Sequence, residues 1–218
     1  MPDVATTRSH GGRTGRPPLT EHRRAEIRLE IARAAVHLFV GQGVAATTGE
    51  QIGAAAGVSA RTVWRYFPNK ESCVRPLLTA GIEAIASCLR DWPPGRPLDE
   101  ALDRAFAAGT TLLAAPDGAP AWALVRLTRT EPGLRAVWLQ ARDDAEPAFA
   151  RALAARAGLP ADDLRPMTQA ALLNAALRTA VEYHAWHTPV EETDTATAQA
   201  ELAATLRSAL AITARGFD

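Results

Sequence analysis

"GVSARTVWRYFPNK", residues 57–70, is too short and too polar for a core helix, yet it sets Trp64, Tyr66 and Phe67 among Arg61, Arg65 and Lys70. Ser59 is placed to cap a helix at its start. Val63 and Phe67 stand four residues apart and share one helical face, and Pro68 closes the element. The helix is therefore expected to be anchored along one edge, with Arg61, Thr62, Trp64, Arg65 and Tyr66 left on its outer faces.

Working upstream, "TTGE" at 47–50 predicts a capping box in which the Thr47 hydroxyl accepts from the first turn and Glu50 reaches back. A short helix through Ile52 to Ala56 follows, and Gly57 ends it. Before it, from Thr20 to Val40, Ile27, Ile31, Ala34, Ala35, Leu38 and Phe39 recur at steps of three and four, the pattern of an amphipathic helix that Gly41 and Gly43 stop. Val63 and Phe67 then have Ile31, Leu38, Ile52 and Val58 to pack against. Two helices of about two turns, joined by a glycine-containing turn, have the geometry of a helix-turn-helix, whose second helix fits a DNA major groove about 12 Å wide. Arginine can bond guanine there and the threonine methyl can touch thymine, while Tyr, Lys and backbone amides serve phosphates.

The run from Thr48 to Lys70, "TGEQIGAAAGVSARTVWRYFPNK", resembles the DNA-binding domain of the tetracycline-repressor (TetR) family. The matching residues are Ile52, Ala56-Gly57-Val58-Ser59, Thr62, Trp64, Tyr66, Phe67, Asn69 and Lys70. The resemblance covers roughly residues 22–75 and departs from the commonest pattern twice, with Trp64 where Tyr is usual and Gly49 where a β-branched residue is. It implies that Thr48, Trp64, Tyr66 and Lys70 contact phosphates and that Arg61, Thr62 and Ala60 face bases; Thr47, Ser59 and Arg65 complete the expected DNA-binding set.

Residues 1–19 lack apolar periodicity, and "SHGGRTGRPPL" has the composition of a flexible basic arm. Arg13 and Arg16 in such an extended chain can enter a narrow minor groove. The remainder reads as helices at about 70–91, 98–114, 119–130, 133–157, 162–187 and 194–215, with Pro147 expected to split or kink the fourth. No strand alternation occurs, so the fold class is all-α. The division expected is an arm at 1–19, a DNA-binding domain at 20–75 and a helical effector-binding and dimerisation domain at 76–218.

The formal net charge of zero conceals an asymmetry. Residues 1–75 hold eleven Lys and Arg against six Asp and Glu, leaving thirteen and eighteen of the twenty-four of each for the rest, so a basic front of +5 sits on an acidic body of −5. That front suits a polyanion. No apolar run approaching roughly 18 residues and no signal-peptide core is evident, which gives the expectation of a cytoplasmic protein with no membrane partner. Cys73 and Cys88, fifteen residues apart in one helix, would lie about 22 Å from one another, beyond disulfide reach.

The resemblance further implies a homodimer that reads a palindromic operator and a small-molecule effector that releases it, as in a repressor. The dimer would form through the last two helices, with Ala171, Ala175, Leu202, Leu206, Ala209 and Leu210 as the seam. The effector pocket would be lined by Phe106, Trp122, Arg126, Trp138, Phe149, Asn174 and Arg178, and a buried Arg126 or Arg178 would favour an anionic ligand. For catalysis there is no nucleophile elbow, phosphate loop or Cys-Xaa-Xaa-Cys pair, so the chain is read as a non-enzyme without cofactor or metal. His184 and His187, with Glu182, Glu191 and Glu192 nearby, are the one constellation that could make a metal or acid-base site; ordinary core or surface histidines are the simpler reading.

Overall fold

The computed structural model describes residues 20–93, 96, 98, 121–187 and 195–215. Among them are eight α-helices, one 3-10 turn and no strand, as the sequence pattern requires. The predicted helix at 98–114, the arm with Arg13 and Arg16, and Phe106 lie outside the described residues, Leu98 apart.

Helix α1 (Glu21–Gln42) begins where the Thr20 side chain accepts from the Arg23 amide at 3.3 Å and ends at Gly43, whose φ of 85° stops the helix. Its inward face carries Ile31, Ala35, Val36 and Phe39. The capping box that starts α2 (Gly49–Ala55) lies one residue later than expected: Thr48 accepts from the Gln51 amide at 3.3 Å, and Gln51 Oε1 accepts from the Thr48 amide at 2.9 Å. Thr47 cannot fill that place because its hydroxyl is turned inward, donating to the Gly43 carbonyl at 2.8 Å.

The turn after α2 depends on two glycines. Gly57 has a φ of 66°, and a β-carbon on Gly53 would stand 2.9 Å from the Val58 carbonyl oxygen and 3.0 Å from the Ala60 nitrogen. Gly53 thereby lets the start of α3 (Ala60–Tyr66) cross close to α2. The Ser59 side chain accepts from the Thr62 amide at 3.2 Å, and Val63 and Phe67 are buried with Ile31, Phe39 and Ile52. Burial of side chains of this size stabilises by about 1.5–3 kcal/mol each, which fixes a seven-residue helix that would not form alone.

A 3-10 turn (Glu71–Val74) leads into α4 (Arg75–Arg90), α5 (Ala121–Leu127), α6 (Pro132–Ala157), α7 (Leu164–His187) and α8 (Thr195–Arg215). Helix α6 packs between α4 and α7, and α8 lies on α7. Pro147 does not split α6, which runs unbroken through it until Gly158 adopts the left-handed conformation, φ 66°. The segment Glu71–Arg90 has the length and composition of a bilayer span, contrary to the sequence expectation. Here Val74, Leu78, Ile82, Ile85 and Leu89 are core residues packed toward α6.

One buried cluster extends from Ile31 and Val63 through Cys73, Val74 and Leu78 to Trp138, Leu177 and Leu206. The front of the chain therefore shares its core with the body. Arg75 pairs with Asp144 of α6 across the same junction.

Candidate nucleic-acid interface and body site

Helix α3 is held by Val63, fully buried, with Phe67 just beyond its end, and this leaves Arg61, Trp64 and Arg65 exposed on its other sides. Ala60, Thr62 and Tyr66 are half-buried, with the Thr62 hydroxyl 3.0 Å from that of Ser59. Tyr66 lies between two cations, its ring centroid 5.0 Å from the Arg65 guanidinium carbon and 5.7 Å from that of Arg28. Trp64, 43% exposed, reaches back over the first residue of α2, and so brings the α3 surface up to Thr48.

Two of the expected residues have structural duties that the sequence did not disclose. Thr47, expected to face DNA, is 2% exposed and bonded to Gly43, so it belongs to the interior of the α1–α2 turn. Lys70 donates from Nζ to the carbonyl oxygens of Val44 at 2.6 Å and Thr47 at 3.1 Å, with Ala45 at 3.4 Å. Its ammonium thus closes the end of the helix-turn-helix onto the turn that begins it.

In the body the candidate pocket residues fall into two groups. Trp122 stands edge-on to His184 with ring centroids 5.0 Å apart, and Arg126 Nε donates to the Ala185 carbonyl, joining α5 to α7. Burial holds the His184 pKa below its ordinary value, with Glu201 opposing and Arg126 reinforcing the shift. Trp138, Phe149 and Asn174 are buried between α6 and α7, and half-buried Arg178 reaches Glu182 at 3.4 Å. Neither Arg126 nor Arg178 is deeply buried, whereas Arg142, which sequence reasoning missed, is 4% exposed; Glu182, considered only beside the two histidines, is 5% exposed.

His187 is exposed and stacked on Tyr183 at 4.1 Å, whereas His184 faces Trp122, so the two imidazoles have different surroundings. Among the described residues no group of three His, Cys, Asp or Glu side chains is arranged to hold a metal ion. Burial pushes the Cys73 thiol up to about 12, which suppresses the reactive thiolate.

The seam residues need correction. Leu202 and Leu206 are 3% and 1% exposed within a single chain, because they point inward from α8 into the core, and so cannot form an outer seam. Ala171, Ala209 and Leu210 are half-buried, and of the expected set only Ala175 is exposed. The outward stripe of α7 carries Leu172, Ala175, Thr179 and Tyr183, and that of α8 carries Ala204, Ser208 and Ile212.

Residues 31–77 match the family model described as bacterial regulatory proteins, tetR family, and residues 96–218 match the one described as MftR C-terminal domain. The HTH-type transcriptional regulator TcmR of Streptomyces glaucescens is 35% identical over 168 residues, 74% of either chain. A TetR-family transcriptional regulator of Syntrophomonas wolfei superposes with a TM-score of 0.57 at 16% identity, covering 86% of this chain and 96% of that one. SmeT, the repressor of the Stenotrophomonas maltophilia multidrug efflux pump SmeDEF, gives 0.52 at 21%, covering 84% and 88%. These two structures share the fold.

Proposed function

The chain belongs to the TetR family of DNA-binding transcriptional regulators, and we propose that it is a cytoplasmic, homodimeric repressor that leaves a palindromic operator when a small molecule binds its body. The observation that carries this reading is the anchoring of α3 by Val63 and Phe67, with Arg61, Trp64 and Arg65 exposed. A helix fixed along one edge and cationic on the other sides is what a major groove accepts.

In this reading residues 20–75 form the DNA-binding domain. Arg61, Thr62 and Ala60 face bases. Thr48, Ser59, Trp64, Arg65, Tyr66 and Lys70 serve the phosphate backbone, and Arg13 and Arg16 of the arm follow the minor groove. Dimerisation uses the outer stripes of α7 and α8, Leu172, Ala175, Thr179 and Tyr183 with Ala204, Ser208 and Ile212, which would otherwise expose apolar surface. Two copies read half-sites about one helical turn, or a multiple of it, apart. The effector acts within residues 76–218, and the continuous core from Ile31 to Leu206 gives it a packed route to α3. The protein works by binding and needs no catalytic step.

Selection of DNA from a random pool at about 150 mM salt, where nonspecific binding is weakened, tests this directly. Enrichment of a palindrome is the expected result. Enrichment of a single unpaired half-site would refute the dimeric reading, and no enrichment in the presence or absence of cell extract would remove the regulator's operator altogether.

A further inference from the structure

Arg142 is a buried guanidinium that is only partly partnered among the described residues. It is 4% exposed, and its Nε and Nη1 have no hydrogen-bond partner among the described residues. The nearby carboxylate is already committed: Glu182 Oε1 accepts from Arg135 and, at 2.8 Å, from the Trp138 indole, while Oε2 faces Arg178 at 3.4 Å. Three guanidiniums thus surround one carboxylate, and Arg142 is the one left out. Besides the field of Glu182, it has the face of Trp138, whose ring centroid lies 4.5 Å from the guanidinium carbon.

Asn174 has the complementary deficit across the α6–α7 interface. Its Nδ2 donates to the Arg142 carbonyl at 3.0 Å and to Glu146 at 3.1 Å, but its buried Oδ1 accepts from none of the described residues. Burial pulls the Arg142 pKa down to about 9, with the Glu182 charge opposing and the Arg178 charge adding to the fall. The group is still protonated at neutral pH. A buried cation short of hydrogen-bond partners costs stability, and an anion that bonds it offsets part of that cost.

We infer that Arg142 receives the anionic group of an otherwise apolar small molecule bound between α6 and α7, with Asn174 Oδ1 able to accept from a hydroxyl or N–H of the same ligand. The inference rests on the reading of the body as effector-binding and adds the chemical class of the effector: a carboxylate, sulfonate or similar anion on an apolar frame. The same two helices carry the buried core residues Trp138, Ala141, Phe149 and Leu177, which supply the apolar frame of this interface.

The test compares two dyes with one aromatic frame, anilinonaphthalene sulfonate and its uncharged parent N-phenylnaphthylamine, on the full chain and on Arg142→Met and Arg142→Lys. The wild-type protein is expected to hold the sulfonate about tenfold or more tightly than the parent, the range of a charge-assisted hydrogen bond. Arg142→Met should lose that preference while holding the parent dye unchanged and melting no lower than wild type; Arg142→Lys should keep part of it. Equal sulfonate binding by wild type and Arg142→Met overturns the inference, as does an Arg142→Met protein that melts lower, since Arg142 would then be a structural group. If the parent dye still binds under either outcome, the effector reading survives without its anion. If wild type binds neither dye, both readings fall.

Discussion

The Trp64 ring occupies the space above Gly49 so closely that a β-carbon there would lie 1.9 Å from Cζ2 and 2.5 Å from Cε2. The two residues that depart from the commonest TetR pattern are therefore one change made in two places: the larger indole needs the missing side chain. Gly49→Val should displace the ring and weaken DNA binding, and adding Trp64→Tyr should restore part of the loss. A double-mutant cycle on DNA affinity is expected to give a coupling of about 1 kcal/mol or more; additive effects would mean that the ring moves aside without consequence.

Half-buried Lys70 donates from Nζ to the carbonyls of Val44, Ala45 and Thr47. Lys70→Met should cost about 1–3 kcal/mol of stability by stranding those oxygens, in addition to weakening all DNA sequences alike. Unchanged thermal unfolding would show that the three-carbonyl contact is dispensable.

Arg61 is exposed near the start of α3, two residues from the Ser59 cap. Arg61→Ala should relax sequence preference at one base position and cost about 1–3 kcal/mol there, read by selection from a random pool. A uniform loss across all sequences would move Arg61 to the phosphate-contacting set.

Leu172 is 46% exposed on the outward stripe of α7. Leu172→Glu should give a folded monomer in sedimentation, whereas Leu206→Glu should unfold the chain, because Leu206 is in its core. A folded dimer after the first substitution would place the interface elsewhere.

His184 titrates below its ordinary 6.5 because it is buried, with Glu201 opposing and Arg126 reinforcing. As pH falls through 6.5 the unfolded chain takes up a proton that the folded chain resists, so stability present above that pH is lost below it. The melting temperature of wild type should drop between about pH 7.5 and 5.5 more than that of His184→Gln. Parallel curves would show that His184 contributes nothing to the slope.

The front of the chain was legible because its signals are local. Ser59, Gly57, Pro68 and the four-residue step from Val63 to Phe67 each fix a backbone choice within one turn. The capping box was misread by one residue because two adjacent threonines are equivalent on paper, and only the inward bond to Gly43 tells Thr47 from Thr48. The body was less legible. An apolar face does not name its partner, so Leu202 and Leu206 could not be distinguished from an intersubunit stripe. Nor could Arg142 be picked out among twenty-three arginines, since a buried charge leaves no mark on helical periodicity.

Trp64 is the only one of the five tryptophans before residue 92. Its exposed indole makes α3 its own fluorescent reporter. With Trp92, Trp122, Trp138 and Trp186 replaced by phenylalanine, the remaining emission would report contact at the recognition helix, and in the native chain the long-wavelength edge of the spectrum should change when DNA is added.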